Sequence, residues 1–314
     1  MAAAREYNID FLKYRKLCIA LSSTLVLLAI ISMIVHHPPL RPGLDFTGGT
    51  RLRIQFPEDV PTGEVRSALG AITIPGVDLT KSLVQDFPDL RRQGQFIKTI
   101  TFMAFEEDEV DMVIKALEAR FPGIEVKERE MVSGQVSREI TRKAWQAILV
   151  SLVVMLVYIS WRFQLRYAVG GILALVHDTL IPLGVFSLFR IEVNLSVIAA
   201  LLTIIGYSIN DTIIIFDRVR ENMGTRKRKP DYYELINKST NQTLSRTIQT
   251  SLTTLIPVVV ALFFGGSVLR PFCLAMTIGI ISGTYSTIYI ANPIVYYWSL
   301  KAEALRAKAR VRAR

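Results

Sequence analysis

"GYSINDTIIIFDRVRE", residues 206–221, sets a carboxylate, Asp211, inside an otherwise apolar run from Leu195 to Phe216. The run matches the roughly 20 residues needed to cross a bilayer. The rest of the chain fits that reading: its 314 residues are 51% hydrophobic, with a mean hydropathy of +0.35. That is too apolar for an ordinary soluble domain and suggests a membrane protein with a soluble part. A carboxylate in hydrocarbon costs roughly 3 kcal/mol or more, so Asp211 needs a reason to be there.

Outward from this stretch, six segments qualify as spans: 17–35, 144–160, 168–189, 193–216, 247–264 and 272–298. Arginine and lysine set their orientation. They concentrate in an N-terminal tail (1–16), in "WRFQLRY", in a loop spanning about 217–246, and in a basic tail (301–314). All four stretches fall on one side of a six-span chain, while the opposite loops carry Arg190 and Arg270. Both termini are therefore expected in the cytoplasm. The net charge of +10 is explained by this topology, and no nucleic-acid partner is expected. The first span is read as an uncleaved anchor, because "VHHPPLRPG" after it offers no small-residue cleavage site. Cys18 and Cys273 lie in spans and suggest neither a disulfide nor a metal site.

Residues 36–143 form the one large block between spans and are expected outside the cytoplasm. "RLRIQF" alternates, with Leu52, Ile54 and Phe56 on one face, and reads as a strand. "PTGEVRSALG" reads as a short helix capped by Thr62 and stopped by Gly70. Two strand candidates follow, "GVDLTKSLVQDF" and "GQFIKTITF", with a charged turn between them. A second helix, capped by Asp108, presents Val110, Val113, Ile114, Leu117 and Phe121, and "IEVKEREMV" is the last strand. The order β-α-β-β-α-β is that of a ferredoxin-like domain. The fold class expected is thus a membrane all-α six-helix bundle with an extracytoplasmic α+β domain. The soluble block carries no nucleophile, cysteine or histidine cluster, so a binding or mechanical role fits it better than catalysis.

Three ionisable residues inside spans need an account: Asp211, Asp178 beside His177, and Arg246 at the start of the fifth span. Tyr207 and Ser208 share a helix face with Asp211, and Asn210 adjoins it. Arg246, Gln249, Thr250, Thr253 and Thr254 make a polar stripe at helical spacing, better placed against a helix or a water path than against lipid. A low-dielectric site favours the neutral acid, and a neighbouring guanidinium favours the carboxylate. A carboxylate moving between such surroundings takes up and releases a proton. A static ion pair that fixes helix packing is the other reading. Gly279 and Gly283 form a small-residue face suited to close helix packing.

"GLDFTGGT" after the first span, the six-span pattern with one large first outer loop, and "GYSINDTIIIFDRVRE" together resemble the SecD/SecF family, part of the resistance-nodulation-division superfamily. The resemblance covers nearly the whole chain. It implies a non-enzymatic, multi-pass subunit of the bacterial inner membrane that works with SecD beside the SecYEG channel. Such a subunit uses the proton-motive force to draw translocating polypeptides outward, with YidC and YajC as further candidate partners. Protons are the coupling species, and no other cofactor is implied. The resemblance assigns proton passage to Asp211 and Arg246 and, more weakly, to Asp178. Tyr207, Ser208, Asn210, Gln249 and Thr250 are supporting polar residues. A proton-coupled exporter half for lipids or small molecules is the alternative within the superfamily, disfavoured because this chain has a single six-span half.

Overall fold

A computed structural model describes residues 7–74, 78–86, 96–103, 106–224, 231–266 and 268–312. In chain order the elements are α1 (Arg15–Val35), β1 (Arg41–Pro42), α2 (Leu44–Thr47), β2 (Gly49–Phe56), α3 (Thr62–Ala71), β3 (Leu83–Asp86), β4 (Phe96–Phe102), α4 (Glu107–Arg120), β5 (Glu125–Val132), α5 (Gly134–Arg162), α6 (Leu165–Leu188), β6 (Glu192–Val193), α7 (Leu195–Gly224), α8 (Tyr232–Phe264), α9 (Arg270–Ser286) and α10 (Asn292–Arg312). A π-helical turn, Thr287–Ala291, joins α9 to α10. The chain divides into two compact units: Pro42–Ala144, and the remainder, Met1–Arg41 with Trp145–Arg314.

The smaller unit is the β-α-β-β-α-β module that the sequence periodicity predicts. Its sheet runs β3-β4-β2-β5, and all pairs are antiparallel. Leu52, Ile54 and Phe56 of β2 are fully buried, with Ile100 and Phe102 of β4 beside them. Val65 and Leu69 of α3 and Val110, Val113 and Leu117 of α4 close the core. Ile114 is only partly buried. The helix ends differ from the sequence reading. Pro61, not Thr62, is the residue before α3, and Gly70 lies within it. Glu106 caps α4 in a reciprocal capping box with Glu109, where Asp108 was expected. The turn between β3 and β4 lies outside the described residues. Gly48 and Gly49 lead the chain from α2 into β2 with φ of 71° and 104°, a region L-residues avoid. A Cβ on Gly49 would also lie 2.6 Å from the Phe102 carbonyl oxygen.

Among the described residues, six helical segments are long and apolar enough to cross a membrane: Leu12–Val35, Gly134–Arg162, Leu165–Leu188, Leu195–Gly224, Tyr232–Phe264 and Arg270–Leu305. They correspond to the six predicted spans but run longer. The stretch 217–246, read as a loop, is helical up to Gly224 and again from Tyr232; residues 225–230 fall outside the described ones. α5 likewise starts ten residues before the predicted start of the second span, at Gly134 rather than 144, inside the block read as soluble. The physical reason is common to these cases: a helix leaving the hydrocarbon turns polar without ceasing to be a helix, so hydropathy reports the membrane crossing and not the helix end. The basic tail continues α10 to Arg312.

α1 and α6 cross very closely. A Cβ added to Gly184 would lie 2.2 Å from the Ala29 Cβ and 2.9 Å from its Cα. Nearby, Ser32 Oγ and Ser187 Oγ are 3.0 Å apart. Gly184→Leu is therefore expected to push α1 off α6, at about the 1–3 kcal/mol typical of overpacking. Cysteines at positions 32 and 187 should crosslink in the parent and fail to do so with leucine at 184. Undiminished crosslinking would show that the crossing tolerates the bulk.

The segment before α1 is tied to α8. Asn241 bonds the Ile9 backbone reciprocally, its Oδ1 accepting from the Ile9 amide at 2.8 Å and its Nδ2 donating to the Ile9 carbonyl at 2.8 Å. The Leu12 amide donates to Asn237 Oδ1 at 3.0 Å. Asp10 accepts from the Tyr233 hydroxyl at 2.7 Å and from Asn237 Nδ2 at 2.8 Å. Chiefly through the Tyr233 bond, Asp10 is held below the ordinary carboxylate range. A depressed carboxylate stabilises docking above its ordinary value, and that contribution is lost as the pH falls through the folded value. Spin labels at Tyr7 and on α8 should show a broadened distance distribution below about pH 4. A distribution unchanged in acid would mean that Asp10 contributes little to docking.

Candidate functional site

The interior of the helical unit is crossed by hydroxyl groups, and α9 distributes them. Ser282 and Ser286 bond α6, Thr284 Oγ1 lies 2.8 Å from Ser251 Oγ of α8, and the Tyr285 hydroxyl donates to the Cys18 carbonyl of α1 at 2.9 Å. One turn on, Thr287 Oγ1 lies 3.0 Å from Thr212 Oγ1 of α7, and Asn292 Nδ2 donates to Thr240 Oγ1 of α8 at 3.1 Å. Lipid gives helices no hydrophobic reason to associate, so small residues and interhelical hydrogen bonds take over. Gly279 and Gly283 make these bonds reachable. A Cβ at Gly279 would strike Ile204 Cδ1 at 2.2 Å, and one at Gly283 would lie 3.1 Å from Ser208 Cβ and 3.5 Å from Asp178 Oδ2. This is the close helix packing that the small-residue spacing predicts. The face is occupied inside the chain by α7, because Ile204 and Ser208 need the missing side-chain volume.

Asp178, on α6, is fully buried and closed by donors on both oxygens. Oδ1 accepts from Ser282 Oγ at 2.9 Å and lies 2.9 Å from His177 Nδ1. Oδ2 accepts from Ser208 Oγ and Ser286 Oγ, both at 2.6 Å. Three helices, α6, α7 and α9, meet at this one carboxylate. Ser208, expected beside Asp211, serves Asp178 instead. Ser282 and Ser286 were missed in the sequence. Their spacing of four, flanking Gly283 on one helix face, is the signal that marks them.

Asp211, on α7, is also buried, at 1% exposure, but it is not closed. Oδ1 accepts one long hydrogen bond, from Thr250 Oγ1 of α8 at 3.3 Å. Oδ2 is buried with no partner among the described residues, as are the Tyr207 hydroxyl and Thr247 Oγ1. The single proton of the Thr250 hydroxyl is also contested by its own helix, with the Arg246 and Thr247 carbonyl oxygens each 3.0 Å from Oγ1. The Arg246 side chain is exposed and makes no ion pair with Asp211 among the described residues. The expected counter-charge therefore stands one helical turn from Thr250 without closing on the carboxylate. Asn210 and Gln249 are exposed on α7 and α8, as is Thr253, and only Thr250 of the supporting set bonds Asp211. The two buried aspartates thus differ in kind: Asp178 has every acceptor filled, and Asp211 has one oxygen open.

The family described as protein export membrane protein SecD/SecF, C-terminal, matches residues 112–301, and the SecD/SecF GG motif matches residues 34–56, which contain the Gly48–Gly49 turn. A protein translocase subunit SecF from Petrotoga mobilis is 42% identical over 294 residues, covering 92% of this chain and 95% of that one. A protein translocase subunit SecDF from Thermus thermophilus is 39% identical over 286 residues, covering 91% of this chain and 38% of that one. The crystal structure of Thermus SecDF, described as a translocon-associated membrane protein, superposes with a TM-score of 0.81 at 34% identity. The match covers 95% of this chain, which spans only 40% of that longer one.

Proposed function

The chain belongs to the SecD/SecF family of protein-export membrane proteins, and from that premise we propose that it is a proton-driven accessory subunit of the Sec translocase. In this reading it pairs with a SecD protein beside the SecYEG channel in the bacterial inner membrane. Both termini lie in the cytoplasm and the ferredoxin-like unit lies outside, as the Lys and Arg distribution favours. YidC and YajC are proposed as further partners on the family resemblance alone.

The observation that carries the proton reading is the open oxygen of Asp211. Leaving a buried acceptor unsatisfied costs about 1–3 kcal/mol, and a residue kept only for packing would be closed as Asp178 is. An open carboxylate accepts a proton, a water or a partner's donor. Arg246 is the proposed counter-charge when the site rearranges, favouring the charged form of Asp211 as it approaches. The SecD pairing is supported by the Thermus relative, in which a sequence like this one occupies 38% of a longer SecDF chain. It is also supported by the exposed Asn210, Arg246, Gln249 and Thr253, polar groups that hydrocarbon would penalise unless another helix covered them.

The test is reconstitution. Vesicles containing SecYEG and a SecD partner should gain export on an imposed proton gradient only when this chain is included, and the chain should co-purify with SecD. Equal export with and without it would reject the proposal.

A further inference from the structure

Where α5 gives way to α6, the helical unit presents an arginine that its own carboxylates leave uncompensated. Arg166 is the second residue of α6 and is half-buried. Its guanidinium lies over the Tyr167 ring at 4.9 Å and beside the Tyr232 ring of α8 at 5.8 Å. Nη1 donates to Ser299 Oγ of α10 at 2.9 Å, and Nη2 meets the Met223 thioether of α7 at 3.9 Å. Nε is buried with no partner among the described residues. A guanidinium carries five N–H donors, so rings, one hydroxyl and a thioether hold this one in place without neutralising it. Arg220 joins it. Residues 216, 220 and 223 share a face of α7. Phe216 packs on Tyr167 with ring centres 5.0 Å apart, and Met223 reaches Arg166, so Arg220 stands on the face between them, exposed. The carboxylates of α7 at this end are engaged elsewhere. Asp217 faces Arg162 at 3.9 Å, and Glu221 accepts from Arg218 at 2.7 Å. Those two pairs cancel, and the charges of Arg166 and Arg220 remain without an ion pair among the described residues.

The depth of the pair in the membrane points to its ligand. Trp161, at the end of α5, is 85% exposed, and Tyr297 and Trp298 are exposed beside Ser299. Exposed tryptophan and tyrosine at the ends of spans mark the headgroup level of a bilayer. Uncompensated arginines at that level meet lipid phosphates, and the guanidinium fork fits two phosphate oxygens at once. Basic pockets between membrane-spanning helices take anionic headgroups in this way. We propose that Arg166 and Arg220 form a binding site for the phosphate of an anionic phospholipid. Arg166, fixed by Tyr167, Tyr232 and Ser299, is the positioned half of the site, and Arg220 is the half open to the headgroup. Because the arginines and their supports come from α6, α7, α8 and α10, a bound headgroup ties four helices together at the membrane edge.

Native mass spectrometry of the full chain in detergent, offered phosphatidylglycerol or phosphatidylcholine with the same acyl chains, tests the site. Both lipids carry a phosphate, and only the first is anionic overall. The chain is expected to retain phosphatidylglycerol in preference to phosphatidylcholine, and equal retention would overturn the proposal. Arg220→Gln is a change at an exposed position that leaves the packing intact. It should weaken the phosphatidylglycerol adduct about tenfold or more, as loss of a charge-assisted hydrogen bond does, and Arg166→Gln should do the same. Lys238→Gln removes a charge from an exposed position outside the site and should leave the adduct nearly unchanged. Equal losses for Arg220→Gln and Lys238→Gln would reduce the effect to diffuse attraction and defeat the site. Excess inorganic phosphate should not displace the lipid; displacement would assign the site to a free anion. If Arg220→Gln spares the lipid and weakens co-purification with a SecD partner, the pair serves a protein carboxylate and the proposal fails. Lipid retention needs neither export nor a proton gradient, so it stands or falls apart from the translocation reading.

Discussion

Asp211→Asn is expected to abolish the gradient-dependent part of protein export while leaving the chain inserted and assembled. Asparagine keeps the size of the side chain and can still accept the Thr250 hydrogen bond, 3.3 Å in the parent, but it cannot titrate. Packing at the site is therefore preserved and only the proton chemistry is removed. Complexes of verified assembly, compared in vesicles with and without an imposed proton gradient, should respond in the parent and fall to the gradient-free level in the variant. A parental response would make Asp211 a packing residue. Arg246 sharpens the test. Arg246→Met removes the cation that favours the charged carboxylate and should behave much as Asp211→Asn does. Arg246→Lys should be partly active, because lysine supplies the charge as a point without the planar fork of donors.

Leu117→Ala should cost the ferredoxin-like unit about 2–5 kcal/mol, a large share of the roughly 5–15 kcal/mol that holds a typical domain together. Leu117 is completely buried on the sheet-facing side of α4, beside Val110 and Val113. Opposite it lies the face of β2 and β4 formed by Leu52, Ile54 and Ile100. Its truncation removes transfer energy and leaves a cavity that two rigid layers cannot easily close. Met112, on the outer side of the same helix, is 45% exposed, and Met112→Ala should change stability by no more than about 0.5 kcal/mol. Denaturant unfolding of residues 42–144 should separate the two variants by a shift in midpoint at constant slope. Equal midpoints would mean that the core is not closed by this helix face.

Much of this architecture is a one-dimensional property. Length and hydropathy are enough to count six spans, because crossing a bilayer demands about 20 apolar residues in succession. Period-two and period-3.6 alternation is enough to order the smaller unit. Leu52, Ile54 and Phe56 point inward for the same steric reason in any antiparallel sheet. Helix ends were less legible. α7 and α8 continue through the polar residues on either side of 225–230, where backbone hydrogen bonds persist after the apolar signal has stopped. The cap of α4 moved by two residues because Glu106 and Glu109 satisfy each other's backbone donors, a pairing that competes with any single-residue rule.

Ionisable groups within the spans are legible before any folding, since Asp178, Asp211 and Arg246 stand in or at the ends of apolar runs. What surrounds each of them is settled by the packing of the helices. Asp178 is closed because Ser208, Ser282 and Ser286, which are 30, 104 and 108 residues away along the chain, converge on it. Gly279 and Gly283 permit that convergence by letting α9 approach α7. Asp211 is open because α8 leaves its Oδ2 without a partner among the described residues and leaves the Arg246 side chain exposed. In a low-dielectric interior the state of a carboxylate depends on the few donors and cations within hydrogen-bonding reach, and those donors are neighbours in space that the order of the residues does not reveal.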